Sequence, residues 1–425
     1  MDRRGFLHVC GAGAAAWAIP RWGLGADAGA PKPNIVLIMA DDLGYECLGC
    51  NGGTSYRTPH LDRLAAGGTR FAHAYCTPLC SPTRNLLMTG RYNFRNYRGW
   101  GILDPKEVTF GHLLRGAGYA TCVSGKWQLC RFDQPENADH PRTAGFDESC
   151  VWTWRFKGKK PSRYWSPSIW QNGSLREGLD GKYGPDIHCD FVLDFIERHR
   201  SKPFFAYYPM NLVHAPFLRT PHSKEGGRGA GSKGGGYFAD MVAYADHCVG
   251  RVVATLERLG LRERTLVLFT GDNGTPRGVR SKMGETDVPG GKGKMTDTGC
   301  HVPFIASWPG AVAAARTCED LLDFSDVFPT LAELAGAPLP KDVMIDGRSF
   351  APQLRGEAGT PRDWVYIQLD KKRAVRDRRW KLHADGRFFD MAADPFEHKP
   401  IQPDAATEEA AAARTRLQAV LASLH

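Results

Sequence analysis

Asn34-Ile35-Val36-Leu37-Ile38-Met39-Ala40-Asp41-Asp42-Leu43-Gly44 is a short apolar run, rich in β-branched side chains, that stops at two adjacent acids. An unbroken apolar run reads as a strand of a parallel sheet covered on both faces. Thr265-Leu266-Val267-Leu268-Phe269 repeats the pattern and stops at Thr270-Gly271-Asp272-Asn273-Gly274. Phe204-Phe205-Ala206-Tyr207-Tyr208 is a third such run, and Asn211-Leu212-Val213-His214-Ala215-Pro216-Phe217 follows it. Open α/β sheets hold their sites at the carboxyl ends of strands. Strands that end in acids are therefore placed to share one.

Adjacent carboxylates repel unless a cation holds them, and oxygen-only ligands suit a hard divalent ion. Asp41, Asp42, Asp272 and Asn273 make such a set. The many protein oxygens favour Ca²⁺ over Mg²⁺. Each Asp also suits the capping of a following turn, and that reading stays open beside the metal.

The 425 residues suffice for one large domain and a small one. Hydrophobic residues at 42% and charged residues at 24% are ordinary for a soluble enzyme. No run of about 18 apolar residues is present, so no stable membrane insertion is expected. The N-terminus, Asp2-Arg3-Arg4-Gly5-Phe6-Leu7, carries a twin-arginine pattern. A weakly apolar stretch from Val9 to Ile19 follows, and Ala26-Asp27-Ala28 offers a small-x-small cleavage site. Residues 1–28 thus read as an export signal, and the mature chain as periplasmic or secreted. The formal charge is +9. The signal holds Arg3, Arg4 and Arg21 against Asp2 and Asp27, so the mature chain keeps +8 (9 − 1). This excess modestly favours anionic partners. The basic residues are scattered and no nucleic-acid motif is present, so no nucleic acid partner is expected. Of the 12 cysteines, Cys47 and Cys50 form a Cys-x-x-Cys without a second pair at metal-finger spacing. A disulfide or plain buried thiols suits them better than zinc.

Cys80-Ser81-Pro82-Thr83-Arg84, trailed by Thr89-Gly90-Arg91, resembles the maturation signature of the type I sulfatases. The resemblance implies that Cys80 becomes formylglycine, whose hydrated aldehyde attacks sulfate esters. It also implies a formylglycine-generating enzyme as a partner before export. Twin-arginine export carries folded proteins, which suits conversion in the cytoplasm. Thr83 stands where the family more often has Ser or Ala. Asp41-Asp42-Leu43-Gly44-Tyr45 and Phe269-Thr270-Gly271-Asp272-Asn273-Gly274 look like the family's two metal motifs, and Cys80 joins Asp41, Asp42, Asp272 and Asn273 as a metal ligand. The resemblance runs from about residue 33 to the C-terminus. The implied fold is an alkaline-phosphatase-like α/β/α sandwich around a mostly parallel sheet. The implied organisation is a catalytic domain over 31–360 and a small α+β subdomain over 361–425.

The same resemblance assigns the remaining site. Gly125-Lys126-Trp127-Gln128-Leu129 is similar to the family's Gly-Lys-Trp-His-Leu. Lys126 is then a cation on the sulfate. Gln128 replaces the usual His and donates a hydrogen bond but no proton or charge. His214 matches the His-x-Pro-Phe motif and is the implied general acid, a role suited to a pKa near neutrality. Gly290 to Phe304 resembles the stretch Gly-Lys-Gly…Glu-Gly-Gly-x-Arg-x-Pro. It makes Lys292 the catalytic lysine, with Lys294 its rival, and puts Asp297 and His301 where Glu and Arg usually stand. Gln128, Lys126 and Lys292 together form the expected substrate-binding set. Arg84 is expected within a helix beginning near Pro82, its guanidinium bridging the aldehyde hydrate and the carboxylates.

Outside these motifs, Gly226 to Gly236 reads as a flexible surface loop. Neither it nor the Gly290 loop has the order of a phosphate-binding P-loop. Trp152, Trp154, Trp165 and Trp170 crowd a segment with Lys157, Lys159, Lys160 and Arg163. That segment reads either as ordinary packing or as a rim that selects sulfated or carboxylated glycans. Asp323 to Leu331 begins a helix, Val365–Gln368 and Arg373–Leu382 read as strands, and Ala405–Leu424 as a closing helix.

The expected function is hydrolysis of sulfate esters, of a sulfated carbohydrate or a small ester. A phosphodiesterase or phosphonate hydrolase of the same superfamily is the enzymatic alternative, and a catalytically dead glycan-binding relative the non-enzymatic one. A cysteine phosphatase is disfavoured, because its arginine belongs six residues after the cysteine, where Leu86 stands.

Overall fold

The structure is a computed structural model that describes residues 32–132, 134–155, 158, 160–224 and 236–424. The export stretch and the glycine-rich run, Gly236 apart, lie outside the described residues. The strands through the larger part of the chain are β1 (Asn34–Ala40), β2 (Thr69–Tyr75), β3 (Ala120–Trp127), β4 (Glu148–Thr153), β5 (Ile169–Gln171) and β6 (Ser174–Leu175). They continue with β7 (Phe204–Pro209), β8 (Thr265–Gly271), β9 (Arg280–Met283), β10 (Thr286–Pro289), β11 (Phe304–Ser307) and β12 (Arg316–Asp323). Ten of them form one sheet in the order β12-β2-β11-β8-β1-β7-β3-β4-β5-β6, and β9 pairs with β10 apart from it. The centre, β8-β1-β7-β3-β4, is parallel throughout. The antiparallel pairs lie around β11 and β5.

β1 shows why an unbroken apolar run was needed. Ile35, Leu37 and Met39 enter the core on one face, while Val36, Ile38 and Ala40 enter a second core on the other. The helices Cys80–Thr89 and Val327–Ala335 cover the first face, and Pro59–Ala66, Gly184–Arg198 and Phe238–Arg258 cover the second. The result is the expected layered α/β sandwich.

The helix after β2 starts at Cys80, two residues before the expected position, with Leu79 at its N-cap. Pro82 is its third residue. The proline lacks an N–H, but the first turn has no carbonyl partner for one, so the helix loses nothing. Gly125 in β3 has φ +130°, and a Cβ there would lie 2.0 Å from the Pro209 carbonyl oxygen. Only glycine lets β3 approach the end of β7 this closely.

The C-terminal part adds β13 (Val365–Leu369), β14 (Lys372–Arg376), β15 (Trp380–His383) and β16 (Phe388–Asp390), an antiparallel sheet. The stretch expected as one run over 373–382 is two strands. The Asp377 carboxylate accepts from the backbone N–H groups of Arg379 (2.9 Å) and Trp380 (2.6 Å), and so folds a turn between them. The closing helix is Glu408–Ser423, later than the expected start at Ala405. Thr407 caps it by accepting from Ala410 N, and Pro403–Ala405 forms a separate short turn of helix. Ala410, Ala413 and Leu417 pack it onto the sheet. The described cysteines are all free thiols, so Cys47 and Cys50 take the thiol reading rather than the disulfide.

Candidate active site

The parallel centre of the sheet brings the carboxyl ends of β1, β7, β8 and β3 to one edge. Its hydrogen bonding runs on past the strands. Asp41 N donates to the Leu212 carbonyl and Val213 N to the Asp41 carbonyl, each at 2.7 Å. Asp272 N donates to the Ala40 carbonyl at 3.0 Å. The acids after β1 are thus tied to the acids after β8 on one side and to the His214 loop on the other. Asp42 takes φ +65°, a left-handed conformation that Asp tolerates better than most residues.

Three buried carboxylates meet four cations here. Lys126 Nζ lies 2.8 Å from both oxygens of Asp41. Arg84 donates to Asp272 at 2.7 Å and stands 3.8 Å from Asp41. Lys292 reaches Asp42 at 2.6 Å. Arg163 reaches Asp41 at 3.3 Å. A charge taken out of water is tolerated when it is paired, and each of these is. Cys80 lies among them, its Sγ within 4.8 Å of carboxylate oxygens of Asp41 and Asp272.

The electrostatics sort these groups. Burial would raise Asp41, but Lys126, His214 and Arg84 hold it well below the usual carboxylate range. Asp272 goes the other way, raised to about 7 by burial and by the neighbouring charge of Asp41. Burial lifts the Cys80 thiol, and Asp272 and Asp41 lift it further against the pull of Lys126. An unmodified Cys80 is therefore a neutral thiol, a poor nucleophile. Lys292 would be lowered by burial, yet Asp42 keeps it above its ordinary value. His214 is pushed down to about 3, by burial first and then by Arg163 and Lys126 against Asp41 and Asp42. Its Nδ1 lies 2.6 Å from the Ala215 carbonyl, which only accepts, so Nδ1 carries the proton. The bare Nε2 faces Asp42 at 3.7 Å.

The donor set fits a hard divalent cation. Asn273 donates its Nδ2 to Asp42 at 2.9 Å, and its buried Oδ1 has no hydrogen-bond partner among the described residues. Asp272, with its raised proton affinity, marks room for further positive charge. Asp41, Asp42 and Asp272 supply the remaining oxygens. His214 is grouped with Asp41 and Asp42 at ligand spacing as well.

Of the residues expected from sequence, Asp41, Asp42, Cys80, Arg84, Lys126, His214, Asp272, Asn273 and Lys292 all converge on this edge. Gln128 is buried just beyond β3, and its Oε1 has no hydrogen-bond partner among the described residues. Lys294, the rival of Lys292, is exposed and lines a separate cleft. Asp297 pairs with Arg376 and Lys381, and His301 stacks between Tyr45 and Tyr75. Asp297 therefore ties its loop to the C-terminal sheet, while His301 packs on the large-sheet side, against Tyr45 and β2.

The segment that carries Arg163 reads from sequence either as ordinary packing or as a glycan-selecting rim. Arg163 itself turns inward, stacked 4.2 Å over the fully buried Trp152 ring, to meet Asp41. For Trp152 the packing reading holds. Tyr164, next in sequence, places its hydroxyl 2.8 Å from the Asn211 carbonyl and 2.5 Å from that of His214, which steadies the His214 loop. The mixed cation-rich segment was the signal for both, but its inward direction was not legible.

The family model "Sulfatase" matches residues 33–337, and "N-sulphoglucosamine sulphohydrolase, C-terminal" matches 291–423. Human arylsulfatase A is 35% identical, over 87% of this chain and 78% of its own length. Dog N-acetylgalactosamine-6-sulfatase is 33% identical, over 85% of this chain and 73% of its own. A solved Bacteroides thetaiotaomicron structure, described under the metabolism of multiple glycosaminoglycans, is 25% identical with TM-score 0.75, covering 92% of this chain and 99% of that one. With its acids, cations and cysteine gathered at one sheet edge, this chain belongs to the sulfatase family, sulfuric ester hydrolases of alkaline-phosphatase-like fold.

Proposed function

We propose that the chain is an exported sulfatase that cleaves sulfate esters of a carbohydrate, with formylglycine made from Cys80 and a divalent cation, Ca²⁺ rather than Mg²⁺. The observation that carries this reading is Cys80 itself. Its thiol is buried, held neutral, and set among carboxylates and lysines. That setting suits neither thiolate attack nor plain packing, and it does suit a residue converted to an aldehyde hydrate. The hydrate would supply the attacking hydroxyl, and a cation held by Asp41, Asp42, Asp272 and Asn273 would supply Lewis-acid charge.

This chain's own residues do the rest. Lys126, Lys292 and Arg163 neutralise the non-bridging sulfate oxygens. Arg84 bonds the Lys126 carbonyl at 3.2 Å and Asp272 at 2.7 Å, and so fixes the helix that carries Cys80. His214 delivers the proton to the departing alcohol. Its Nε2 is bare in the free protein, and an anion arriving against Lys126 and Arg163 cancels two of the charges that hold its pKa down. Gln128 places a buried carboxamide where the family has a histidine, and it serves substrate hydroxyls by hydrogen bonding alone. The names of the glycosaminoglycan-related structure and of N-acetylgalactosamine-6-sulfatase support a sugar sulfate as substrate. The formylglycine-generating enzyme is the partner this route requires, and the twin-arginine pattern supports export to the periplasm or beyond.

Mass spectrometry of the tryptic peptide Phe71–Arg84 from protein made in its native host tests the proposal. Loss of sulfur and two hydrogens with gain of oxygen at Cys80 is the expected result. An intact thiol in active protein sinks the formylglycine route. A clear preference for phosphate or phosphonate esters on the same preparation sinks the sulfatase assignment of substrate.

A further inference from the structure

The loop that carries Lys292 continues as Gly293-Lys294-Met295-Thr296 into the wall of a cleft between that loop and the C-terminal sheet. The cleft has a volume of about 570 Å³, within the ordinary range for a ligand pocket, roughly 300–1,000 Å³. Its lining includes Arg277, Lys294, Lys371, Lys372, Arg373 and Arg387. The carboxylates in the lining are Asp385 and Glu397, and both are already engaged. Arg387 pairs with Asp385 at 2.9 Å, and Lys381 and His383 pair with Glu397 at 2.6 Å. That leaves Arg277, Lys294, Lys371, Lys372 and Arg373 without a carboxylate partner among the described residues. Arg277 is held at the rim by the Lys292 and Gly293 carbonyls at 2.8 and 3.2 Å. Lys371 and Lys372 stand exposed at the turn between β13 and β14. Five cations around one cleft, with no acid to balance them, raise the local potential and draw anions in.

The cleft adjoins the reacting centre. Lys292 touches Asp42, while Gly293 N donates to the Pro78 carbonyl at 2.8 Å, two residues before Cys80. Two residues of chain span at most about 7 Å. A substrate whose sulfate lies against Lys292 therefore reaches the cleft with its neighbouring sugar units.

We propose that this cleft binds a second anionic group, sulfate or carboxylate, carried by the same glycan chain as the ester being cleaved. The inference rests on the sulfatase reading above and adds that the substrate is a multiply charged oligosaccharide rather than an isolated monoester. Arg277, Lys294, Lys371 and Lys372 set this preference, and Lys126 and Lys292 hold the sulfate being transferred.

The test is inhibition of 4-nitrophenyl sulfate turnover by a multiply sulfated heparin tetrasaccharide and by inorganic sulfate, in the mature enzyme and in K371A/K372A. The expected result is that the ratio of tetrasaccharide Ki to sulfate Ki rises about tenfold or more in the variant. The charge-reversed K371E/K372E moves it further, and raised salt shrinks the difference. An unchanged ratio overturns the proposal, and so does a wild-type enzyme indifferent to the tetrasaccharide. Absence of wild-type turnover tells against the sulfatase reading instead. Calorimetric titration of the tetrasaccharide into both proteins then decides the cleft by itself, with equal affinities overturning it.

Discussion

Arg163 is the residue whose role depends most on its surroundings. It approaches Asp41 from 122 residues away in sequence, and its guanidinium rests on a buried indole. In R163A, Asp41 keeps both contacts to Lys126, so the acid stays paired and the fold is retained. We expect kcat for a sulfate ester to fall by roughly 10²-fold, the usual effect of losing one preorganised charge-stabilising group. Steady-state kinetics on R163A check this, and a change confined to KM would remove Arg163 from the transition state. Lys126, Lys292 and His214 were legible one residue at a time because each sits in a short motif of fixed spacing. Arg163 sits in no such motif. Its direction is set by Trp152, which a sequence reading counts simply as one of several tryptophans.

At the scale of elements, the helix Gly184–Arg198 carries a buried histidine against the sheet. His188 donates its Nδ1 proton to the Cys150 carbonyl at 2.9 Å, and its Nε2 has no partner among the described residues. Burial lowers its pKa to about 4. In the unfolded chain the group titrates near 6.5. Between those values the native state binds fewer protons than the unfolded state, so stability rises with pH there. The contribution is complete above pH 6.5 and is lost as pH falls towards 4. It amounts to about 2 kcal/mol by pH 5. Urea titrations at pH 7 and pH 5 are expected to show a smaller acid loss in H188Q than in the wild type. Equal losses would mean that His188 opens to water before it protonates. The element itself was legible only in part. Strand ends at Asp41, Asp272 and His214 followed from apolar runs, while the split of β14 from β15 followed from one carboxylate folding its own turn.

Over the whole molecule, the site ties parts of the chain far apart in sequence to one sheet edge. Removing a bound cation leaves Asp41, Asp42 and Asp272 crowded, with the Asn273 Oδ1 unpartnered. Chelation is therefore expected to lower the melting temperature by roughly 3 °C for a cation present at about 100 times its Kd. Readdition of Ca²⁺ restores it, and Mg²⁺ restores it less. Differential scanning calorimetry with and without chelator checks both, and an unchanged melt would exclude these acids as a cation site.

Sequence alone determined the three central strands that end at the site, the acids and histidine beyond their ends, and the residues matching the family motifs. Those signals are local, because a strand's periodicity and the turn after it are written in consecutive residues. Tertiary structure alone decided which cation pairs with which acid. It also turned Arg163 inward, took Lys294 out of the site, and set lysines without a carboxylate partner among the described residues around a cleft beside the C-terminal sheet. Such pairings join residues 85 to 250 apart, and burial sets their strength. Both follow from how the layers pack on the sheet, and no stretch of neighbouring residues records it.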